Sequence, residues 1–234
     1  MTYIKLFLIL IHTIICSVLS ILFSVFDRSL KLFFWLSRFW PGGIFLFSGI
    51  KVKATGLENF DHSGTYVFVS NHSSQFDIPA IQYTAPVRVC IIYKKELEKI
   101  PLFGWQLAVS PYIAINRTNP EDAFKSIEKA KVLMKKRNIS VILFAEGTRS
   151  KTGEIQPFKR VAFYLASKTG FPIIPVTING TAKLLPKGTL KIKSGTIHVH
   201  FDKPIFPKEN LNKKEELELM NEVRNKVISN FHEE

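Results

Sequence analysis

Two side chains able to move a proton lie close together in the segment 71–77, which reads NHSSQFD and follows a short apolar run. His72 can accept a proton near neutral pH if a carboxylate such as Asp77 fixes its tautomer and stabilises the imidazolium. Two residues five positions apart on an ideal helix point about 140° away from each other. The pair can therefore meet only if His72 lies in the turn before a helix, with Ser73 or Ser74 as the cap and Asp77 in the first turns. This arrangement places the imidazole at the carboxyl end of a strand, where open α/β sheets carry their active sites.

A second polar segment, Glu146 to Arg149, follows an apolar run at 139–145 that predicts a buried strand. Gly147 allows a ligand to approach the backbone closely, and Thr148 offers a hydroxyl. Arg149 can bind a phosphate group through two parallel hydrogen bonds. The segment has the side chains needed to hold a phosphorylated ligand; a turn with a surface salt bridge is the simpler alternative.

Two further cations follow predicted strands. Lys94 comes directly after a strand predicted at 87–93, and Arg117 follows one predicted at 111–116. The carboxyl ends of parallel strands meet at one edge of a sheet, so both cations can converge on the edge that carries His72. Each feature taken alone also fits a plain structural role, such as a solvated cation or a histidine that caps a helix.

Strands alternate with helices from about residue 50 onward. This order predicts an α/β fold with a mostly parallel mixed sheet flanked by helices. The last strand alternates apolar and polar residues and is predicted to lie at an edge of the sheet. The predicted strands are 50–55, 65–70, 87–93, 111–116, 139–145, 172–178 and 195–201, and the predicted helices of this part are 120–137, 161–169 and 211–231.

The first part of the chain predicts a membrane anchor. Residues 6–26 carry no charge and are almost wholly apolar, and they are long enough to cross a hydrocarbon core of about 30 Å. A signal peptide is not expected, because the apolar run is too long and no small-x-small cleavage site follows it. A fully buried helix of a soluble protein is the alternative.

Residues 27–40 predict an amphipathic helix. Its basic residues fall on one side of a helical wheel and its aromatic residues on the other, which suits a helix lying in the membrane interface. The Pro-Gly-Gly sequence at 41–43 is expected to end this helix. The two segments predict membrane-anchoring helices at 1–48, either spanning the bilayer or dipping into one leaflet, followed by an α/β domain at 49–234.

The charge of the chain indicates an anionic partner. The 234 residues carry a formal net charge of +13, with a pI of about 9.7. Lipid headgroups, phosphorylated substrates and nucleic acids fit this charge, but the apolar segment and the lack of a recognisable nucleic-acid module argue against nucleic acid. The excess of lysine and arginine just after the apolar run favours a cytoplasmic location for the α/β domain. The two cysteines, Cys16 and Cys90, provide neither a disulfide framework nor a metal-site spacing.

These polar residues and a later apolar segment, taken in order, resemble the four blocks of the 1-acyl-sn-glycerol-3-phosphate acyltransferase family. The matching segments are 71–77, Arg117, 144–150 (FAEGTRS) and 174–176 (IPV). The resemblance extends over roughly residues 52–206, and an amino-terminal membrane-binding helical pair is usual in the family. The departures from the common pattern are the order Ser73-Ser74-Gln75, Ala145 where proline is common, and Asn116 before the arginine. None of them touches the expected chemistry, but they leave the subfamily open.

The resemblance implies an O-acyltransferase that makes phosphatidic acid for phospholipid synthesis. His72, oriented by Asp77, would act as general base on the free hydroxyl of 1-acyl-sn-glycerol 3-phosphate, and that hydroxyl would attack the thioester of acyl-coenzyme A or an acyl-carrier protein. No cofactor and no metal are implied, because the acyl thioester is a co-substrate. The residues expected to bind the acceptor are Arg149, Lys94 and Arg117 at its phosphate and Glu146 and Thr148 at its glycerol, with Gly147 letting the acceptor approach the backbone.

Two other functions stay open on the sequence. An acyltransferase of the same family could act on glycerol 3-phosphate or another lysolipid. A protein of a different class, attached to the membrane, could bind anionic lipid without any chemistry, but such a binder would not need Asp77. The expected location is the cytoplasmic face of a membrane, namely the bacterial inner membrane.

Overall fold

The computed structural model describes residues 2–116 and 120–232, and within them the chain forms a seven-stranded sheet. The strands are β1 Ile50–Thr55, β2 Val67–Ser70, β3 Val89–Lys94, β4 Ile113–Ile115, β5 Ser140–Phe144, β6 Ile173–Asn179 and β7 Gly195–Phe201. Across the sheet they follow the order β1-β7-β6-β2-β5-β3-β4. The five strands from β6 to β4 run parallel, so their carboxyl ends meet at one edge, while β7 runs antiparallel to β6.

Helices cover both faces of this sheet and precede it in the chain, which confirms the predicted α/β fold. The first two are α1 Thr2–Phe26 and α2 Lys31–Ser48. The remaining helices are α3 Asp77–Thr84, α4 Phe103–Val109, α5 Pro120–Arg137, α6 Val161–Thr169, α7 Thr181–Leu184 and α8 Lys213–Ser229.

Strand β2 occupies the centre of the parallel part of the sheet. Val67 lies opposite Val141 of β5 on one side and Ile173 of β6 on the other. Val67, Phe68 and Val69 have no exposed surface. Helices cover both faces of the sheet here, so the strand is a continuous apolar run and not an alternating one. The turn that carries His72 therefore begins from a strand that is buried on all sides.

The prediction that the last strand lies at an edge is wrong. Strand β7 lies between β6 and β1, and Ile50 of β1 is opposite Gly195. The alternation that suggested an edge is real, since Ile197 and Val199 are buried while the residues that alternate with them are partly exposed. Alternation reports that one face is less covered than the other, and it does not report which neighbours pair along the strand.

The prediction that Pro-Gly-Gly ends the second helix is also wrong. Helix α2 continues through Pro41 to Ser48 and ends at Gly49, whose φ is +67°. A Cβ at Gly43 would lie 2.2 Å from Nε2 of His12 in α1, so this glycine lets the two helices approach closely. His12 Nε2 also lies 3.0 Å from the carbonyl oxygen of Trp40. Contact with α1 offsets the hydrogen bond that the proline removes from the helix.

Helix α2 packs into the core of the α/β layers. Phe33 and Phe34 belong to the apolar cluster on one face of the sheet, and Ile44 and Phe45 belong to the cluster on the other face. The predicted boundary after residue 48 coincides with the end of α2, but the division into an anchor and a separate domain stays a prediction. Removal of α2 would leave apolar surface of both clusters open to water.

Helix α1 carries a large apolar surface. Among the described residues it is the one helix long and apolar enough to cross a membrane, judged by length and composition. Only 17% of its most apolar stretch is buried, and Phe7, Ile15 and Leu22 are at least half exposed. This exposure disfavours the alternative of a core helix in a soluble protein, because protein would cover such a helix.

Candidate active site

His72 and Asp77 meet in the turn between β2 and α3, as their spacing predicts. Nδ1 of His72 lies 2.7 Å from Oδ2 of Asp77. Asp77 has no exposed surface, whereas the imidazole keeps 12% of its surface exposed. Because the carboxylate occupies the Nδ1 side, a partner outside the protein can reach only Nε2, on the far side of the ring.

The carboxylate of Asp77 closes this turn, and the expected serine cap is wrong. The backbone N–H groups of Ser73 and Ser74 donate to Oδ2 of Asp77 at 2.7 and 2.8 Å. The hydroxyl oxygen of Ser74 accepts the N–H of Phe76, the residue before the helix, at 3.3 Å, and the hydroxyl donates to the carbonyl oxygen of Leu185 at 2.8 Å. Helix α3 begins at Asp77 itself, without a side-chain cap at Phe76. The same carboxylate therefore shapes the turn and orients the imidazole, and its buried charge is compensated by several N–H donors.

Phe144, the last residue of β5, covers one face of the imidazole. The two rings stack with their centroids 4.2 Å apart and their planes at 25°. The register explains the contact, because Phe144 lies opposite Ser70, two residues before His72. This contact restricts the rotation of the ring. The sequence carries no signal for it beyond the place of Phe144 at the end of a strand.

Glu146 supports the backbone of His72. Its Oε1 accepts the backbone N–H of His72 at 2.7 Å, and its Oε2 accepts that of Gln156 at 3.3 Å. The backbone carbonyl oxygen of His72 is held as well, because it accepts the N–H of Ser150 at 2.7 Å. Burial raises the pKa of Glu146 to about 7, and the hydrogen bonds from the two backbone N–H groups act in the opposite direction. The expected contact of Glu146 with the glycerol stays a prediction; in this structure Glu146 positions the turn.

The loop from Gly147 to Arg149 lies beside two lysines that the sequence did not single out for this role. Gly147 has a φ of +75°, and a Cβ there would lie 2.9 Å from Nζ of Lys159. Nζ of Lys187 donates to the carbonyl oxygen of Arg149 at 2.6 Å. Thr148 is exposed and its hydroxyl donates to the same carbonyl oxygen at 3.3 Å. Lys187 therefore holds the backbone of this loop, and the ammonium groups of the two lysines place positive charge beside it.

The remaining predicted ligands lie along the same edge of the sheet or outside the described residues. Lys94 ends β3, two strands away from β2, and its amine lies 3.4 Å from Glu96 with 54% of the side chain exposed. Arg117 lies outside the described residues, so its predicted role stays a prediction. Strand β4, which precedes it, is the neighbour of β3.

Two residues that hold the turn from the side of β6 complete the site. Asn71 exchanges two hydrogen bonds of 2.9 Å with the backbone of Ile178 in β6. The hydroxyl of Thr181, at the start of α7, donates to Oδ1 of Asp77 at 2.5 Å. The asparagine was part of the segment singled out in the sequence, without a role. The threonine was missed, because more than a hundred residues separate it from the turn.

The arrangement suits the transfer of a proton from a bound substrate. The imidazole and carboxylate are placed as a base and its orienting group, and the sequence has no G-x-S-x-G turn to supply a serine nucleophile. An open parallel sheet with such a pair at its carboxyl edge is typical of α/β enzymes.

Comparison with known proteins places the chain in a family. A family model described as Acyltransferase matches residues 51–179, which is more than half of the chain. The chain belongs to the acyltransferase family.

Several similar proteins carry the name 1-acyl-sn-glycerol-3-phosphate acyltransferase. The chloroplastic protein BAT2 of Brassica napus is 34% identical over 211 residues, which cover 89% of this chain and 59% of that protein. The protein of Saccharomyces cerevisiae is 32% identical, covering 80% of this chain and 62% of its own length. The alpha form of Homo sapiens is 31% identical, covering 79% and 65%. This chain spans less than two thirds of the length of these curated relatives.

A solved structure shares the fold along nearly the whole chain. The crystal structure of PlsC, the 1-acyl-sn-glycerophosphate acyltransferase of Thermotoga maritima, matches with a TM-score of 0.80 at 27% identity. The match covers 97% of this chain and 91% of PlsC, so it includes the amino-terminal helices.

Proposed function

We propose that this protein transfers a fatty acyl group from an acyl thioester to the free hydroxyl of 1-acyl-sn-glycerol 3-phosphate, forming phosphatidic acid. The observation that carries the proposal is the 2.7 Å contact between His72 and Asp77 at the carboxyl edge of the sheet, beside the Glu146–Arg149 loop. The names of the relatives and of the structural neighbour support the acceptor. A protein that only binds anionic lipid would have no use for a buried carboxylate aimed at an imidazole.

The reaction needs one base and no protein nucleophile. Nε2 of His72 takes the proton of the acceptor hydroxyl while the oxygen attacks the carbonyl carbon of the thioester. The tetrahedral intermediate then collapses, the C–S bond breaks, and the imidazolium returns the proton to the departing thiolate sulfur. Asp77 keeps Nδ1 protonated throughout and stabilises the imidazolium. Orientation of the pair by the turn is expected to contribute to a general-base effect of about 10²–10⁴ in rate.

Positive charge beside the loop would hold the phosphate of the acceptor. Arg149 supplies a planar fork for two hydrogen bonds, and Lys187 and Lys159 add charge at its side. Lys94 and Arg117 follow the neighbouring strands and would extend this surface. We propose acyl-coenzyme A or an acyl-carrier protein as the acyl donor. The basic segment 151–208 suits both the phosphates of coenzyme A and the acidic surface of a carrier protein.

The test of the proposal is a panel of acceptors and donors. Purified protein in detergent is offered lysophosphatidate, glycerol 3-phosphate and neutral lysolipids, each with both kinds of thioester, and the products are identified by mass spectrometry. Phosphatidic acid from lysophosphatidate is the expected product. Faster acylation of glycerol 3-phosphate or of another lysolipid would assign the protein to another acceptor in the family. Binding without any product would point to the non-catalytic alternative.

Replacement of Arg149 by alanine is expected to raise the KM for the phosphorylated acceptor by about 10–100-fold, which corresponds to the loss of hydrogen bonds between charged groups. The KM for the thioester should change little. Arg149→Lys should restore little, because lysine keeps the charge but lacks the planar fork. Lys213→Ala, at an exposed position at the start of α8 and outside the basic segment 151–208, controls for the loss of one charge. An increase confined to the KM of the thioester would show that the loop binds the donor.

We also propose that the protein is attached to the cytoplasmic face of a membrane, of the bacterial inner-membrane kind, through α1 and α2. The full-length protein is expected to stay with membranes in a wash at 1 M salt, where the Debye length is about 3 Å, and to dissolve in detergent. Extraction by salt alone would contradict an apolar anchor.

Substitutions on the exposed face of α1 test the anchor without opening the core. Phe7→Lys, Ile15→Lys and Leu22→Lys change residues that are at least half exposed. The triple variant should move into the soluble fraction at high salt, because charged residues are costly in a hydrocarbon core. Leu217→Lys with Ile228→Lys, at exposed apolar positions of α8, should leave membrane attachment unchanged.

A further inference from the structure

A buried threonine holds the second oxygen of the Asp77 carboxylate. Thr181 has no exposed surface, and its Oγ1 lies 2.5 Å from Oδ1 of Asp77. The same Oγ1 lies 3.1 Å from the hydroxyl oxygen of Ser73, which is also buried. The N–H donors from His72, Ser73 and Ser74 all reach the other oxygen, Oδ2. Thr181 is therefore the hydrogen-bond donor found at Oδ1 among the described residues.

The directions of these hydrogen bonds follow from the number of protons available. An ionised carboxylate only accepts, so the single hydroxyl proton of Thr181 points to Asp77. Oγ1 of Thr181 is left as an acceptor, and the hydroxyl of Ser73 must donate to it. The chain of bonds runs from Ser73 through Thr181 to Asp77 and ends at the imidazole of His72. Its members come from two places in the fold, the turn after β2 and the start of α7.

The backbone around Thr181 gives its hydroxyl a defined position. Gly180, just before it, has a φ of +88°, and a Cβ there would lie 2.7 Å from the carbonyl oxygen of Thr196 in β7. Asn71 ties β6, the strand that leads into Gly180, to the turn that carries His72. The threonine is thus presented from a rigid part of the sheet, and its position relative to Asp77 is maintained by β6 and β7.

We propose that Thr181 is a positioning residue for the acyl transfer, acting through Asp77. Hydrogen bonds at Oδ2 alone would let the carboxylate rotate about them, whereas a donor at Oδ1 fixes its plane and keeps Oδ2 aligned with Nδ1 of His72. The inference rests on the proposed function, because it assigns Thr181 to the same base. It needs no contact between Thr181 and a substrate.

The test compares two variants of Thr181, one without and one with a hydroxyl, and a control variant of another buried threonine. Thr181→Val keeps the shape but removes the hydroxyl, and it is expected to lower kcat about 10–100-fold while the KM values for acceptor and donor stay within about twofold. Thr181→Ser keeps the hydroxyl and should stay within about threefold of the wild type. Thr177→Val is the matched control, because Thr177 is equally buried in β6 and donates to the carbonyl oxygen of Val227 at 3.1 Å, away from Asp77. It should retain wild-type turnover.

A double-variant cycle separates positioning from a general structural effect. In the Asp77→Asn background, Thr181→Val should cause no further loss of kcat, because the residue through which it acts is already altered. Additive losses, a parallel rise in both KM values, or full activity of Thr181→Val would overturn the inference. If Thr181→Val does not fold, Thr181→Cys serves in its place, since a thiol has a similar size but donates weakly.

Nitrogen-15 NMR of the labelled histidine ring tests the same contact without turnover. The resonances of His72 are assigned by comparison with His72→Ala. The Nδ1–H tautomer should be retained in Thr181→Ser and become mixed with the other tautomer in Thr181→Val. An unchanged tautomer in Thr181→Val would count against the inference. Absence of acylation by the wild type would contradict the proposed function alone, because this measurement needs no product.

Discussion

Purified His72→Ala protein is expected to show almost no acyl transfer, with kcat lowered by about 10⁴, the upper end of what general-base catalysis contributes. Asp77 holds Nδ1 of the imidazole at 2.7 Å, which leaves Nε2 as the ring nitrogen able to accept a proton from the acceptor. The KM values should change little, because the base acts mainly in the transition state. Product formation from lysophosphatidate, measured by mass spectrometry at saturating substrates, gives the result.

Two checks belong to this experiment. His232→Ala, at an exposed histidine, should keep wild-type activity, and thermal unfolding should show that both variants are folded. Retention of more than a few per cent of turnover in His72→Ala would mean that another group takes the proton. Glu146 would be the first group to examine, since burial raises its pKa to about 7 and it lies against the backbone of His72.

Asp77→Asn is expected to lower kcat by about 10³ with little change in KM, because a neutral amide cannot stabilise the imidazolium and can favour the wrong tautomer. The fold should survive, since the amide oxygen can still accept the N–H groups of Ser73 and Ser74 and the amide nitrogen can donate to Thr181. Asp61→Asn is the matched control: Asp61 also accepts hydrogen bonds from a nearby serine, at an exposed position far from the turn.

The effects of His72 and Asp77 should not add. If the two residues act as one unit, the double variant His72→Ala with Asp77→Asn should be no slower than His72→Ala alone. A further loss in the double variant would show that Asp77 has a separate task, such as holding the acceptor. Full activity of Asp77→Asn would remove the carboxylate from the mechanism.

The local part of the site could be predicted from the sequence. The spacing of His72 and Asp77 allows only a turn before a helix, and the apolar run before them predicts the strand that leads into it. The polar segment after β5 was likewise found from its own residues, and in the structure Gly147 has a φ of +75°. These features depend on residues within one short segment, so composition and periodicity are enough to find them.

The contacts between distant segments could not be predicted in this way. Thr181 and Lys187 lie outside the segments that were singled out in the sequence, and no periodicity marks them. Helix α2 continues through Pro41 because α1 packs against it, and a local rule about proline takes no account of a second helix. Strand β7 pairs with β1 along its outer edge, although β1 is the first strand in the chain and β7 the last. Each of these errors concerns a neighbour in space, which single-sequence patterns do not report.

The pairing of β1 with β7 has a consequence for how the chain folds during its synthesis. Ile50 pairs with Gly195, so β1 must wait until more than half of the chain has been made before its partner is available. At the usual rates of translation this delay is on the order of ten seconds. Until then the unpaired strand and the apolar α1 are both exposed, and both are prone to aggregate. Early insertion of α1 into a bilayer would take its apolar surface out of water and would reduce contact between nascent chains. The membrane is therefore expected to assist folding before it serves as the place of reaction.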